Sequence, residues 1–268
     1  MQTNIVEPVE GSLVATRELI DRELRDANNV KCGTVNDLLF EDEKWVIRYL
    51  VALTGGFFSR EKVLVSPFLL RNQHIAEPDE PLLTKLTKAS VDSSPPLDAE
   101  APVSRQYELE LARHHEYPHY WHGKNLWGLI SSPGLIENNP VEDALHEERM
   151  EEIRHQHIRS VNSLMSYNAF AGVDNEEVGE IVDFIVESGT WAIRHVVIRA
   201  GSWYEGKTIV LSTDWVSGIS WENEQISFNS LSHAVIKAAP EYDYDARFSR
   251  PFEKELFDHY EKNYYWHV

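Results

Sequence analysis

Residues 33–55 read GTVNDLLFEDEKWVIRYLVALTG, and 146 positions later residues 179–201 read GEIVDFIVESGTWAIRHVVIRAG. Eight of the 23 aligned positions are identical, and seven of the other 15 exchange one apolar residue for another. Self-similarity over this length is typical of a fold in which one structural unit is built twice. The repeated stretch therefore decides the architecture that the sequence predicts.

A second repeat follows the first at an offset of 145 residues. Residues 104–121 read SRQYELELARHHEYPHYW and residues 249–266 read SRPFEKELFDHYEKNYYW, with nine of 18 positions identical. The change of one residue in the offset indicates a loop insertion or deletion between the two repeated blocks. The sequence predicts four parts: an N-terminal arm at 1–12, a first unit with a tail at 13–121, a linker at 122–157, and a second unit with a tail at 158–268.

Composition and charge narrow the class of protein. The apolar fraction is 42% and the net charge is −19, so the chain is expected to fold into a globular body and to repel nucleic acid, whose phosphates require Lys and Arg. A single cysteine, Cys32, fits a reducing compartment. The sequence predicts neither a signal peptide nor a membrane span, which would need an apolar run of about 20 residues. These features predict a cytoplasmic protein with no membrane span.

The secondary structure of each unit is predicted from apolar runs and turn residues. Residues 34–40 and 45–53 are β-branched, aromatic and apolar runs separated by the polar EDEK, which is typical of a hairpin. Residues 62–66 add a strand, and the second copy repeats this order, so a mainly β fold with two small barrels is predicted. Ser104 and Ser249 are expected to cap a helix in each tail. Within the linker, residues 140–157 predict an acidic helix.

The hairpin and strand pattern resembles the PRC-barrel, the small β-barrel first described in the photosynthetic reaction centre H subunit and in a ribosome maturation factor. The residues that carry the resemblance are Gly33, Val35, Asp37, the Trp45–Val51 strand and the Val63–Pro67 strand, repeated at Gly179, Ile181, Asp183, Trp191–Ile198 and Ile209–Thr213. The tails look like the extension found in bacterial proteins that carry two such barrels in tandem. The resemblance implies a fold and a habit of mediating protein contacts, without an established reaction.

Charged residues on the two hairpin strands form the most informative candidate site. If Phe40 and Trp45 close a four-residue loop, Asp37 lies directly across from Arg48, and the same count sets Asp183 across from Arg194. Opposite charges at such positions stabilise a sheet by roughly 0.2–1 kcal/mol. The interpretation is a structural cross-strand pair in each copy, with a functional carboxylate as the alternative.

Histidines cluster in the first tail and in the linker, and imidazole with carboxylate can hold zinc. His115 and His119 bracket a His-Glu-x-x-His run, but Pro118 interrupts the helical i, i+4 geometry that such a zinc motif needs. Surface or packing histidines are therefore preferred to a metal site. Neither a cofactor nor a catalytic residue is predicted.

Aromatic residues in the tails and connections could form an interface, because aromatic side chains anchor protein contacts. The candidates are Trp121, Trp127, Trp203, Tyr204, Tyr264, Tyr265 and Trp266. The preferred function is a non-catalytic adaptor or assembly factor that binds another protein or itself, with each tail helix packed over a barrel. Two alternatives stay open: a soluble regulator of photosynthetic or electron-transport complexes that resembles the reaction-centre H subunit, and a metal-dependent enzyme that uses the tail histidines.

Overall fold

The computed structural model describes residues 11–56, 59–71, 75, 77, 79–98, 102–121, 123–135, 158–202 and 205–266. The predicted acidic linker helix lies outside the described residues. The described chain is mainly β, as predicted. Its strands are β1 (Leu13–Ala15), β2 (Glu23–Arg25), β3 (Lys31–Glu41), β4 (Val46–Gly56), β5 (Ser59–Val65), β6 (Leu82–Leu83), β7 (Ile158–Ser160), β8 (Asn168–Ala171), β9 (Glu176–Glu187), β10 (Ile193–Ala200), β11 (Thr208–Ser212), β12 (Gly218–Ser220) and β13 (Gln225–Phe228).

Helices follow both sets of strands. They are α1 (Lys88–Asp92), α2 (Arg105–His115), α3 (Val161–Leu164), α4 (His233–Lys237) and α5 (Arg250–His259). The hydroxyl of Ser104 accepts a hydrogen bond from the backbone N–H of Tyr107 at the start of α2, and that of Ser249 accepts one from Phe252 at the start of α5. Both serines are therefore N-caps, as the sequence predicted. Single 3₁₀ turns occur at Thr16–Glu18, Pro67–Leu69, Pro133–Leu135 and Thr213–Trp215.

The strands form two sheets with matching connections. One sheet has the order β5-β4-β3-β2-β6, and the other has β11-β10-β9-β8-β13-β12. In both sheets the long hairpin is antiparallel, and a short strand returns parallel to the first one, as β6 pairs with β2 and β13 with β8. Neither sheet closes on itself among the described strands, because the end strands pair on one side only. The described strands thus form two sheets, and the two small barrels of the sequence prediction are not confirmed.

The strand before each sheet crosses into the other sheet. β1 pairs with the end of β9, from Ile185 to Glu187, and β7 pairs with the end of β3, from Leu39 to Glu41. β2 pairs only with the first half of β3, and β8 pairs only with the first half of β9. The second half of each long strand is therefore available to the crossing strand. The exchange is reciprocal, so each sheet is completed by a segment that precedes the other one. The sequence did not predict β1.

The two hairpins also touch directly at their turns. The N–H of Ile47 donates to the carbonyl of Trp191 at 2.9 Å, and the N–H of Ile193 donates to the carbonyl of Trp45 at 2.6 Å. Trp45 and Trp191 both have positive φ angles, 53° and 60°. A left-handed backbone costs a bulky residue roughly 1–2 kcal/mol. These reciprocal bonds hold both turns in that conformation, and they join the two sheets about a pseudo-twofold axis.

One continuous core contains the inward residues of both sheets, including Phe40, Leu50, Phe184 and Val196. Residues 123–135 cross from the end of the first tail to the hairpin turn of the second sheet, where Ser132 Oγ donates to the carbonyl of Gly189 at 2.6 Å. In the part of the chain described, no helix has the length and apolar character needed to cross a bilayer.

Candidate functional site

The predicted cross-strand pairs between aspartate and arginine are wrong. Asp37 lies opposite Val51, and Asp183 lies opposite Val197. The turn spans residues 42–45 rather than 41–44, which moves the position opposite Asp37 from Arg48 to Leu50, and the extra residue Arg48 in β4 moves it one further, to Val51. Arg194 forms the same bulge in β10. The apolar pattern marks neither the exact turn nor the bulge, so the loop count placed the charges on the wrong partners.

Asp183 instead binds the exchanged segment that follows β1. Its Oδ1 accepts hydrogen bonds from Thr16 Oγ1 at 2.6 Å and from the backbone N–H of Arg17 at 3.3 Å, and its Oδ2 accepts one from Arg17 Nη1 at 2.7 Å. Asp37 has the equivalent role at the end of β7. It accepts from Ser160 Oγ at 2.6 Å and from the N–H of Asn162 at 3.1 Å. The repeated aspartates therefore hold the crossing segments in place.

The bulged arginines pair with the glutamates at the ends of the hairpin strands. Arg48 Nε donates to Glu41 Oε2 at 3.1 Å, and Arg48 Nη2 donates to the same oxygen. Arg194 Nε and Nη2 donate to Glu187 Oε2 at 3.1 and 2.6 Å. The bulge turns each arginine toward the tail that covers the hairpin, where an aromatic ring of that tail stacks on the guanidinium.

The first polar cluster comprises Glu41, Arg48, Tyr49, Arg105, Glu108 and Tyr120. Glu108 is its centre, since its Oε2 accepts hydrogen bonds from Tyr49 at 2.8 Å and from Tyr120 at 2.7 Å. Arg105 Nη1 lies 2.9 Å from Glu108 Oε1. The guanidinium carbon of Arg48 lies 4.0 Å from the centre of the Tyr120 ring. Charged and aromatic groups of α2 and its extension are thereby fixed on the hairpin.

The second polar cluster comprises Glu187, Arg194, His195, Arg250, Glu253 and Tyr265. His195 Nε2 lies 2.6 Å from Glu253 Oε1, which also accepts from Tyr265 at 2.9 Å. Arg250 bridges the two glutamates, with nitrogen–oxygen distances of 2.8 Å to Glu187 and 2.6 Å to Glu253. The cluster joins the hairpin of the second sheet to α5 as the first cluster joins its hairpin to α2.

The clusters differ at one buried position and in their covering. Tyr49 is replaced by His195, whose buried Nδ1 has no hydrogen-bond partner among the described residues. The side chain of Arg48 is 0% exposed, whereas that of Arg194 is 20% exposed. Trp127 accounts for part of this difference, because its ring lies 4.8 Å from the Arg48 guanidinium. The first cluster is consequently sealed more completely than the second.

The central carboxyls of the two clusters have pKa values displaced in opposite directions. Burial raises the pKa of Glu108 above its ordinary value, although the charge of Arg105 and the tyrosine hydroxyls oppose this. Burial also disfavours ionisation of Glu253, but the hydrogen bond from His195 and the charge of Arg250 outweigh it, so the pKa of Glu253 is lowered. Equivalent residues thus respond to pH with opposite signs.

Substituting these two glutamates by glutamine is expected to separate their effects on stability. The lowered pKa of Glu253 means that its contribution is present above the ordinary carboxyl range, about 4–4.5, and is lost as the pH falls through the folded value. The raised pKa of Glu108 means that wild type loses stability relative to Glu108→Gln as the pH rises through that value. Urea unfolding from pH 3.5 to 8 measures both differences. Slopes of equal sign would contradict the assignment.

A shallow groove lies where the first hairpin turn meets the second sheet. This junction groove is lined by Asp42, Trp45, Val216, Ser217, Gly218, Ile219 and Trp221. The guanidinium of Arg159 lies against its rim, 4.3 Å from the Trp221 ring and 3.1 Å from Asp42 Oδ2. In the described residues, no group of three or more His, Cys, Asp or Glu side chains is arranged to hold a metal ion.

The predicted interface aromatics are mostly packed against the chain itself. Trp127 is 1% exposed, and its Nε1 donates to the carbonyl of Thr190 at 2.7 Å, so its contact is between the two halves. Trp121 stacks on the guanidinium of Arg105 at 4.0 Å. Tyr264, Tyr265 and Trp266 are partly buried against the core. Trp203 and Tyr204 lie outside the described residues.

The sequence analysis missed the glutamates of both clusters and the tyrosines of the first, and it named Tyr265 only as an interface candidate, although a signal was present. Glu41, Glu108, Arg105 and Tyr120 are each identical to the residue at the matching offset in the second copy. Identity of polar residues at buried positions of both repeats indicates a shared polar network, since apolar positions tolerate exchange. The hairpin and the tail repeat at different offsets, 146 and 145 residues, so the sequence did not indicate that residues of the two repeats contact each other.

Comparison with known proteins identifies part of this architecture. The fold defines a mainly β protein with two sheets joined about a pseudo-twofold axis. Residues 13–75 match the family model of the PRC-barrel domain, so the chain contains a PRC-barrel domain in its first half. This confirms the resemblance for the first copy, whereas a second PRC-barrel domain stays a prediction. No curated protein matches the chain.

Proposed function

We propose that the chain is a non-catalytic adaptor or assembly factor, made of two PRC-type units with helical tails, that binds a protein partner in the cytoplasm. The observation that carries the proposal is the junction groove. Its lining includes the aromatic side chains of Trp45 and Trp221 beside polar residues such as Asp42, and it is formed by both halves together. Aromatic residues at a partly exposed surface are typical of protein contacts.

The polar clusters support a structural use of the repeated charged residues. The glutamates of both clusters are bonded to arginine, tyrosine or histidine of the same chain, and α2 and α5 cover them. Such networks position one element on another and give a single arrangement of tail and hairpin. The repeated charged residues therefore stabilise the fold, and the partly exposed surface of the molecule binds the partner.

A soluble regulator that resembles the reaction-centre H subunit is the second candidate. The match of residues 13–75 to the PRC-barrel domain favours it, because that domain is known from the H subunit. The two candidates differ in the class of partner. The regulator would bind a membrane-bound electron-transfer complex, whereas the adaptor would bind a protein outside such complexes.

The test is affinity capture with the immobilised full chain in native lysate, with detergent-solubilised membranes as a separate fraction. We expect a protein that binds in a stoichiometric ratio and that forms the same complex when purified and mixed with the chain. Size-exclusion chromatography of the mixture measures this. Absence of any stoichiometric complex in both fractions, together with a monomeric chain at about 50 µM, above the dissociation constants of most specific contacts, would refute the proposal.

A further inference from the structure

The contact between the two halves of the chain is built like the interface of a symmetric dimer. β1 of the first half, residues 11–135, pairs with β9, and β7 of the second half, residues 158–266, pairs with β3. Asp183 holds the first crossing segment and Asp37 holds the second, in both cases through a hydroxyl group at 2.6 Å. Each kind of contact therefore occurs twice, as it does where two identical subunits meet about a twofold axis.

Neither half is complete without a strand of the other. Val14 and Ala15 of β1 are 2% and 0% exposed, and they lie opposite Val186 and Ile185, which are both 0% exposed. Without the crossing strands, the second halves of β3 and β9 would present free backbone N–H and C=O groups beside apolar side chains. A strand edge of this kind is a template for pairing with another chain.

The covalent connection between the halves takes no part in these contacts. It consists of the 22 residues 136–157, which lie outside the described residues. The crossing strands, the bonded hairpin turns and the contacts of Trp127 and Ser132 with the second hairpin turn all lie outside that stretch. The same interface can therefore form between halves of one chain or of two chains. Domain swapping depends on this property, and it is characteristic of repeat proteins.

We propose that the interface between the halves also accepts a second copy of this chain, so that two copies exchange halves and form a dimer. In this exchanged dimer, each sheet is completed by a strand of the other molecule. The junction groove is then built from two chains, with Trp45 from one copy and Trp221 from the other. Two such grooves lie on one particle. Exchange with a second copy goes beyond the adaptor function and does not depend on it.

Protein concentration during folding determines which arrangement forms. The connection keeps the two halves of one chain at an effective concentration on the order of millimolar, so the monomer dominates in dilute solution. At about 200 µM, encounters with other copies compete, and on the order of a tenth of the chains should fold as exchanged dimer. At about 2 µM this share should be at least about tenfold smaller.

Disulfides between β1 and β9 report which chain supplies each strand. Val14 and Val186 lie directly opposite each other, and opposite residues of an antiparallel pair have Cα atoms about 4.5–5.5 Å apart, which a disulfide can bridge. Full chains that carry Val14→Cys are mixed with full chains that carry Val186→Cys, unfolded in urea, refolded together and oxidised. We expect a covalent dimer on a non-reducing gel after refolding at about 200 µM, and at least about tenfold less of it after refolding at about 2 µM.

Two controls establish that the disulfide reports strand pairing. The double variant Val14→Cys, Val186→Cys, refolded at about 2 µM, should form the disulfide within one chain, since the two strands meet in the monomer. Val14→Cys mixed with wild type, whose one cysteine is the buried Cys32, should give no covalent dimer. Should either variant fail to fold, Leu39→Cys with Ser160→Cys repeats the test at β3 and β7, where these residues are partners.

Three results would refute the exchange. They are the absence of a covalent dimer at about 200 µM with both cysteine pairs, equal amounts of it at the two concentrations, and an equal amount in the control with wild type. The last two would mean that another surface joins the chains. The adaptor proposal is judged separately. A partner captured from lysate without any exchanged dimer leaves the adaptor function standing and removes the exchange alone.

Discussion

Replacing Arg48 by methionine is expected to lower the free energy of unfolding by about 3–5 kcal/mol. The guanidinium is fully buried and bonded to Glu41, and Tyr120 stacks on it. Methionine matches most of the volume but leaves the Glu41 carboxylate without its cation. An unpaired buried charge is far more costly than the pair itself, because the desolvation of the carboxylate is no longer offset.

Urea denaturation of Arg48→Met measures this loss. Two further variants test whether the unpaired charge is its cause. The double variant Glu41→Leu, Arg48→Met removes both charges and should recover at least half of the loss. Lys88→Met breaks the exposed pair with Asp92 on α1 and should change stability by no more than about 0.5 kcal/mol. A double variant as unstable as Arg48→Met would show that packing rather than the unpaired charge is responsible.

The second copy should respond less to the same change. Arg194 is 20% exposed, and Glu187 is also bonded to Arg250 at 2.8 Å, so water and a second cation remain after Arg194→Met. A smaller loss, about 1–3 kcal/mol, is expected from partial exposure. The comparison of Arg48→Met with Arg194→Met tests whether burial sets the cost in two copies of one arrangement.

The elements that the sequence predicted are those determined by local chemistry. The hairpin runs contain β-branched and aromatic residues on both sides of a polar turn, and Ser104 and Ser249 stand directly before amphipathic helices. Each of these patterns requires knowledge of no more than about a dozen neighbouring residues. The duplication was visible because identical residues recur at fixed offsets.

Register and strand exchange were not predictable in this way. The turn begins one residue later than predicted and Arg48 is bulged, and neither feature is marked in the apolar pattern, so counting from the predicted turn placed Asp37 against the wrong residue. β1 is only three residues long, and its partner Ile185–Glu187 lies about 170 positions away. Nothing in Leu-Val-Ala distinguishes a partner in the near sheet from one in the far sheet. Only the packed structure decides between them.

The polar clusters were predictable from the sequence only in part. Their residues were visible as identities in the hairpin and tail repeats, but their meeting depends on how α2 and α5 lie on the sheets. Glu108 and Glu253 reach the hairpin because both helices begin at a capped serine four residues earlier. The sequence could therefore have listed the candidates, while the pairing needed the helix positions.

Introducing a charge into β1 is expected to unfold both halves together. Val14 is 2% exposed and lies opposite Val186, in the strand that completes the second sheet. In Val14→Asp, a carboxylate would be buried there without a cation opposite it in the ladder, which should cost more than about 3 kcal/mol. Thr16 and Arg17 follow directly and hold Asp183, so the loss extends to the hydrogen bonds of the crossing segment.

The reciprocal exchange determines how this loss is distributed. β7 joins the first sheet and leads into the second, and the turns of Trp45 and Trp191 are bonded to each other, so neither sheet can open alone. Hydrogen exchange by mass spectrometry should show faster exchange in β4 as well as in β10, with one common opening free energy. Val173→Asp, at a 91% exposed position, is the control and should change neither. Faster exchange confined to residues 11–19, with β4 and β10 still protected, would mean that β1 detaches alone and that the halves are not interlocked.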